Sequence, residues 1–153
     1  MKMISIKSIT LVILLMLTCL HSWAIDPSAS KKEGSKDKAL DITLLTRTDK
    51  SWDGKTLPDY PKGQPEITVL KVVVPPQGEF PVHKHPVITV AVLLKGEITV
   101  YLEDGSQKMK LLPGKVDTEV VNTWHYGINE GTTPAEVIVF YAGIKGFPVS
   151  IKK

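Results

Sequence analysis

The chain has 153 residues, of which 42% are hydrophobic and 23% are charged, with 19 Lys and Arg against 16 Asp and Glu. This length is typical of one domain with a sizeable core, and the near balance of charge argues against a nucleic-acid-binding surface. The 11 Gly and 11 Pro residues favour an all-β fold with frequent turns.

The first 24 residues have the pattern of a secretory signal peptide. Lys2 and Lys7 give a basic start, the apolar stretch 9–20 follows, and Ala24 ends a small-residue cleavage site. The stretch is shorter than the roughly 20 apolar residues that span a bilayer. We therefore expect cleavage after Ala24, a periplasmic or secreted protein, and no membrane association of the mature chain. Cleavage would also remove Cys19, the single cysteine.

The next segments differ sharply in composition. Residues 25–41 are rich in Lys and Ser, which predicts a flexible leader, and residues 42–153 are predicted to form the folded domain. Ile42–Arg47 is a short strand candidate. Dense turn signals follow in 49–64, and Trp52 and Tyr60 are expected to hold this loop to the outer face of the domain.

The rest of the chain alternates between apolar segments and Gly- or Pro-containing turns. The predicted strands are 66–74, 87–94, 97–103, 108–112, 116–121 and 135–142. Asp104–Gly105 is a strong hairpin signal, the tail after Gly143 is expected to be loose, and no long helix is expected. About eight short strands of this kind predict a sandwich or closed barrel, whose interior can hold one small ligand.

Three histidines of the expected mature chain are the candidate site. His83 and His85 are separated by one residue, so on a strand their side chains project to the same face. His125 comes later, in the segment Asn-Thr-Trp-His-Tyr-Gly. Two imidazoles side by side on one strand are half of a metal site.

The segment around the first two histidines resembles the first motif of the cupin family. His83 and His85 match its His-x-His, and Gly96 matches its closing glycine. Gly78 precedes His83 by one position fewer than is usual in the motif. Thr89 occupies the position where the motif has a glutamate.

The second cupin motif is matched further along. Gly114, His125 and Asn129 stand at the spacings of that motif, while Val120 and Asn122 replace its proline and its second glycine. The resemblance implies an all-β, double-stranded β-helix barrel of the jelly-roll type, with the three histidines as metal ligands. It implies no single reaction, because cupins include dioxygenases, isomerases, sugar epimerases, storage proteins and ligand-binding regulators.

The usual carboxylate ligand is missing from this pattern. Thr89 is expected to hydrogen-bond a bound water, so three neutral imidazoles would leave the double charge of the metal uncompensated and attract small anionic molecules. Glu97 and Glu119 are the carboxylates that could replace the missing ligand, and both are expected to face solvent. Two further residues are pocket candidates: Tyr101 as an acid or rim residue, and Asn129 as a hydrogen-bond partner of His125 or a turn residue.

Three functional hypotheses follow. The leading one is an exported enzyme of the oxygenase type that uses a divalent transition metal (Fe, Zn, Cu or Ni) on a small anionic molecule. The second is a non-catalytic module that binds a metal or small ligand. The third is a metal-free sugar epimerase-like enzyme with a histidine base and Tyr101 as acid. An empty pocket with vestigial histidines and a homodimer formed through sheet faces or edges both remain open.

Overall fold

A computed structural model of the chain describes residues 40–153. The signal-like segment and all but the end of the expected leader lie outside the described residues. The described part forms nine strands: β1 (Pro65–Val74), β2 (Glu79–Lys84), β3 (Ile88–Lys95), β4 (Ile98–Leu102), β5 (Lys108–Leu111), β6 (Val116–Thr118), β7 (His125–Ile128), β8 (Ala135–Ile144) and β9 (Ile151–Lys152). Within this part, no helix has the length and apolar character needed to cross a membrane.

The strands form two antiparallel sheets. One has the order β1-β8-β3-β6 and the other the order β5-β4-β7-β2-β9. Apolar side chains of both sheets fill the interior, and the buried ones include Leu93, Val100, Leu111 and Val137. Along β8, buried residues alternate with partly exposed ones, because successive side chains of a strand point to opposite faces. The all-β fold and the jelly-roll barrel are confirmed.

Most strand predictions agree with the structure to within one or two residues, and three differ. Ile42–Arg47 forms no strand, because no strand of the described residues pairs with it. The predicted strand 116–121 leaves the ladder after Thr118. The expected loose tail contains β9, which pairs with the end of β2.

The turn between β3 and β4 lies close to the first residue of β8. Gly96 has a φ of 72°, a conformation that residues with a Cβ rarely adopt. A Cβ built on Gly96 would lie 2.7 Å from the Cα of Ala135. Glycine is therefore required at this position by both backbone conformation and space.

The loop before β1 is anchored at one aromatic residue. The backbone N–H of Trp52 donates to the carbonyl of Thr118 at 2.9 Å, and its partly buried side chain packs against the hydrophobic core. Tyr60 is exposed and anchors nothing. The expectation that both aromatic residues hold the loop to the outer face was therefore wrong.

Candidate metal centre

The three histidines converge at one end of the barrel interior. His83 lies on β2 and pairs directly with His125 on β7, and His85 follows the end of β2. The ring centroids are 4.4 Å apart for His83 and His125, 4.8 Å for His83 and His85, and 5.1 Å for His85 and His125. The sequence pattern predicted the shared face of the first two, and the pairing of β2 with β7 adds the third.

Backbone carbonyl groups orient each imidazole through its Nδ1 atom. The contacts of His83, His85 and His125 are, in that order, with the carbonyl oxygens of Pro81 at 2.7 Å, Val149 at 2.9 Å and Thr123 at 2.9 Å. A carbonyl oxygen only accepts hydrogen bonds, so Nδ1 of each ring carries a proton and donates it. This leaves Nε2 as the ligand atom of each ring, as in metal sites where a second group fixes the tautomer.

A carboxylate completes the group, contrary to expectation. The Oε2 atom of Glu119 lies 2.8 Å from Nε2 of His85 and 3.4 Å from Nε2 of His125. One ligand atom from each of the three histidines and Glu119 lies within 4.8 Å of all the others. The predictions that the site lacks a carboxylate and that Glu119 faces solvent were wrong. Glu97 does lie at the surface, paired with Lys110 at 2.8 Å.

The position of Glu119 follows from the pairing of β3 with β6. The backbone N–H of Glu119 donates to the carbonyl of Thr89 at 3.0 Å, which continues the antiparallel register Val90↔Thr118. Glu119 is therefore the cross-strand neighbour of the residue at the glutamate position of the cupin motif. Thr89 itself is buried, and its hydroxyl donates to the carbonyl of Val87 at 3.1 Å, so the expected role in holding a water at the site is not supported.

The other two pocket candidates lie elsewhere. The Tyr101 hydroxyl donates to Glu130 at 2.6 Å, and its ring stacks on Tyr126, so Tyr101 does not line the site. Asn129 is buried, and it forms no side-chain hydrogen bond with His125. Its side-chain amide instead donates to the backbone carbonyls of Val74 (3.0 Å), Pro75 (3.1 Å) and Thr133 (2.8 Å). Asn129 therefore closes the loop between β7 and β8 as a structural residue.

Burial and the carboxylate set the charges of the group. Burial lowers the pKa of His83 to about 4, so this imidazole is neutral at neutral pH. Burial also acts to lower the pKa of His85, but the hydrogen bond and charge of Glu119 outweigh it and raise that pKa. Burial acts to raise the pKa of Glu119, but the neighbouring His125 and His85 outweigh it and lower that pKa to about 2. Without metal, the Glu119 carboxylate therefore favours a proton on Nε2 of His85, which would donate to it.

The group fits a divalent metal. Nε2 of His125 is buried and has no hydrogen-bond partner, an arrangement that costs free energy unless something binds there. Three imidazole nitrogens and one carboxylate oxygen are ligands that suit divalent transition metals. Two ligand atoms about 2.1 Å from one ion lie at most about 4.2 Å apart, so a small contraction of the 4.8 Å group would suffice.

The candidate ligands form one wall of a cavity of about 80 Å³. Most of the remaining lining is apolar, and it includes Phe80, Val100 and Val139. Asp117 also lines the cavity; it is only 2% exposed, and its Oδ1 atom has no hydrogen-bond partner. Burial, with a smaller effect of the Glu119 charge, raises the pKa of Asp117 well above its ordinary value. Sequence reasoning missed this residue, although Asp117 and Glu119 alternate within the predicted strand 116–121.

Comparisons with known proteins agree with the family resemblance. Residues 70–141, just under half of the chain, match the cupin domain family, and this span contains all four residues of the group. No curated protein is significantly similar to the chain.

Several solved structures are similar to part of the chain. A recombinant oxalate oxidase in complex with glycolate is 22% identical, with a TM-score of 0.48, over 56% of this chain and 45% of that one. An oxalate decarboxylase from Lactobacillus farciminis is 19% identical, with a TM-score of 0.49, over 56% and 26%. A DMSP lyase from Ruegeria pomeroyi is 21% identical, with a TM-score of 0.48, over 57% and 43%. The matched region thus spans less than half the length of each of these proteins.

Proposed function

The chain belongs to the cupin superfamily, and we propose that it is an exported metal-dependent enzyme that acts on a small anionic molecule, with oxygenation as its reaction type. The observation that carries the proposal is the convergence of three imidazole nitrogens and one carboxylate oxygen on a cavity wall, with Nε2 of His125 buried, without a hydrogen bond and 3.4 Å from the Glu119 carboxylate. Export is supported by the signal-like segment 1–24.

The charge of the candidate ligands supports an anionic substrate. His83, His85 and His125 would bind a divalent ion as neutral imidazoles, and the Glu119 carboxylate would neutralise one of its two charges. The centre would then keep about one positive charge, less than the two expected before Glu119 was placed. One carboxylate or enolate group of a substrate would compensate it.

The cavity restricts the size and shape of the substrate. A volume of about 80 Å³ holds several water molecules, or a ligand of a few heavy atoms. The apolar part of the cavity lining suits a short hydrocarbon portion. Tyr141 also lines the cavity, and burial raises the pKa of its phenol to about 12, so this residue keeps its proton at neutral pH.

A bound divalent ion would supply Lewis-acid activation of the substrate and, if it is iron, a site for molecular oxygen. The protein itself would position the metal ligands and exclude water from the site. The three backbone carbonyls fix the imidazole orientations, and the apolar walls keep bulk water away from the reacting molecule.

Metal analysis of the purified protein, before and after chelation, tests the proposal first. We expect about one divalent transition metal ion per chain, lost on chelation and lost in His85→Ala. Glu119→Gln should weaken metal binding, whereas the matched surface variant Glu97→Gln should retain it. A protein that binds no transition metal under any of these conditions would refute the proposed function.

Oxygen uptake tests the reaction type. The iron-loaded protein is assayed with a panel of small carboxylates, phenols, thiols and β-diketones, and we expect uptake with at least one class that His125→Ala abolishes. Background uptake with every class would refute oxygenation while leaving the metal site in place.

The second candidate is a module that binds a metal and a small ligand without turnover. It is favoured by the state of the two carboxyl groups in the cavity: Glu119 is engaged with the histidines, and burial raises the pKa of Asp117 well above its ordinary value, which favours its acid form. The Glu119 carboxylate is therefore occupied, and the acid form of Asp117 cannot accept a proton as a general base. Tight binding of a small anion without any product would support this candidate.

The metal-free epimerase hypothesis needs Tyr101 as its acid, and the position of Tyr101 does not support that role. Tyr101 is bonded to Glu130 and does not line the histidine cavity.

A further inference from the structure

Asp117 is a buried acidic residue that lies outside the group of candidate metal ligands. Its side chain lines the same cavity as those ligands, yet the residue is only 2% exposed and its Oδ1 atom has no hydrogen-bond partner among the described residues. Aspartate is rarely buried this deeply unless its oxygens are paired. Because an unpaired buried oxygen costs free energy, its position on the cavity wall indicates that a partner arrives from within the cavity.

The register of the sheet places Asp117 one level away from the candidate ligands. Thr89 on β3 accepts the backbone hydrogen bond of Glu119, so these two residues lie at the level of the metal centre. Two residues further along β3, Ala91 pairs with Asp117 on one side and with Val139 on the other. Successive residues on one face of a strand are about 7 Å apart, so a short molecule in the cavity can reach both carboxyl groups.

The cavity lining around Asp117 is apolar. Its neighbours at the same level of the sheet, Ala91 and Val139, are apolar, and apart from the histidines the facing sheet contributes only apolar residues such as Val100. Tyr141 lines the cavity two residues further along β8, at the level of the candidate ligands. A trapped water needs about two to four polar partners, and Asp117 alone offers one. A ligand that carries its own polar group therefore suits this position better than a water does.

We propose that Asp117 determines substrate specificity: its carboxyl group binds the hydroxyl group of a short hydroxycarboxylic acid whose carboxylate is held at the metal centre. The inference rests on the proposed function, because the metal supplies the anchor for the carboxylate. A hydroxyl group both donates and accepts hydrogen bonds, so it pairs with Asp117 in either protonation state of the carboxyl group. The cavity of about 80 Å³ limits the carbon chain between the two polar ends to a short one, and this chain contacts the apolar lining.

This arrangement discriminates against acids that lack the hydroxyl group. A ligand of the same size without this group would leave the buried Oδ1 atom of Asp117 unpaired, and a site built to bind a hydroxyl group rejects such analogues. The pair 3-hydroxypropionate and butyrate isolates the effect, because a methyl group replaces the hydroxyl group at nearly the same size. Lactate and isobutyrate form a second pair, in which the hydroxyl group lies one carbon closer to the carboxylate.

Calorimetric titration of the Zn²⁺-loaded full chain with these four acids tests the inference, and the zinc content is measured on the same samples. Zinc has no redox chemistry, so binding is measured without turnover. We expect the parent protein to bind the hydroxy acid of at least one pair about 10-fold or more tightly than its methyl counterpart.

Two substitutions at Asp117 separate the hydrogen bond from the shape of the cavity. Asp117→Val should abolish the preference for the hydroxy acid, with zinc content unchanged and butyrate bound at least as tightly as by the parent protein. Asp117→Asn keeps an acceptor oxygen and should keep part of the preference. The surface variant Glu97→Gln should behave as the parent protein, and circular dichroism checks that each variant is folded.

The inference is overturned if the zinc-loaded protein binds the two members of each pair equally, if it binds none of the four acids, or if Asp117→Val keeps the preference of the parent protein. In these cases the measured zinc shows that the metal centre remains in place. A protein that holds no zinc lacks the anchor for the carboxylate, and this result would refute the inference and the proposed function together.

Discussion

Glu119→Gln separates the role of the carboxylate in metal binding from its role in the fold. In the metal-free protein, Nε2 of His85 is 2.8 Å from the Glu119 carboxylate, and the pKa of His85 is raised above its ordinary value of 6.5. A glutamine amide can donate to a neutral Nε2 at the same distance, so the variant should fold normally. A metal, however, would lose its single charged ligand.

The structure gives the expected size and sign of the effect. Below the raised pKa of His85, a metal must displace one proton from Nε2, so affinity should fall about tenfold for each unit by which pH drops. Without the carboxylate, the hydrogen bond and the charge that raise the pKa of His85 are lost, while burial still lowers it and the Val149 carbonyl still raises it. Fewer protons should therefore be released per metal at neutral pH. The affinity for the metal should fall by about 100-fold or more, because losing a charged ligand costs more affinity than losing a group that only hydrogen-bonds to a ligand.

Calorimetric titration of the metal-free protein with Zn²⁺ in two buffers of different ionisation enthalpy measures both quantities. We expect more protons released per metal in the parent protein and in Glu97→Gln than in Glu119→Gln. Equal proton release and equal affinity in all three proteins would show that Glu119 is not a ligand.

Three further substitutions test the assignments of other residues. Asp117→Val removes a buried carboxyl with an unpaired oxygen and should raise the free energy of unfolding by about 1–3 kcal/mol in urea titrations; destabilisation would show that Asp117 supports the fold. Asn129→Ala should lower the free energy of unfolding by about 2–4 kcal/mol, because three backbone carbonyls lose their donor, and it should leave the metal content unchanged. Loss of metal in this variant would show that Asn129 supports the metal site after all. Gly96→Ala should lower the free energy of unfolding by more than about 3 kcal/mol or prevent folding, because the new Cβ would meet backbone atoms. Gly105 has the same φ but lies in open space, so Gly105→Ala should lower it by only about 1 kcal/mol. Equal losses in the two variants would contradict the close approach of Gly96 to Ala135.

The features that could be predicted from the sequence are those that short local patterns determine. The alternation around Val100, the Asp104–Gly105 turn and the apolar run before Gly96 each specify a strand or a turn from neighbouring residues alone. The spacing of His83 and His85 likewise fixes their common face. These features need no knowledge of which strands become neighbours.

The fourth member of the site could not be found in this way. Glu119 reaches the histidines because β6 pairs with β3, a contact between strands separated in sequence by β4 and β5. An acidic residue in an alternating segment is usually exposed, so its local pattern indicated solvent. Similarly, Tyr101 and Asn129 stand at plausible positions in sequence, but their side chains bond to groups away from the cavity.

The sequence alone determined the all-β class, the jelly-roll barrel and the three imidazoles, because strand period and motif spacing are properties of short stretches of chain. Only the tertiary structure decided that a carboxylate joins the imidazoles, that Asp117 lies buried and unpaired in the cavity, and that Ile42–Arg47 finds no strand partner among residues 40–153. Each of these depends on which distant strands become neighbours, and the register that sets those contacts is fixed by packing of the whole barrel rather than by any local segment.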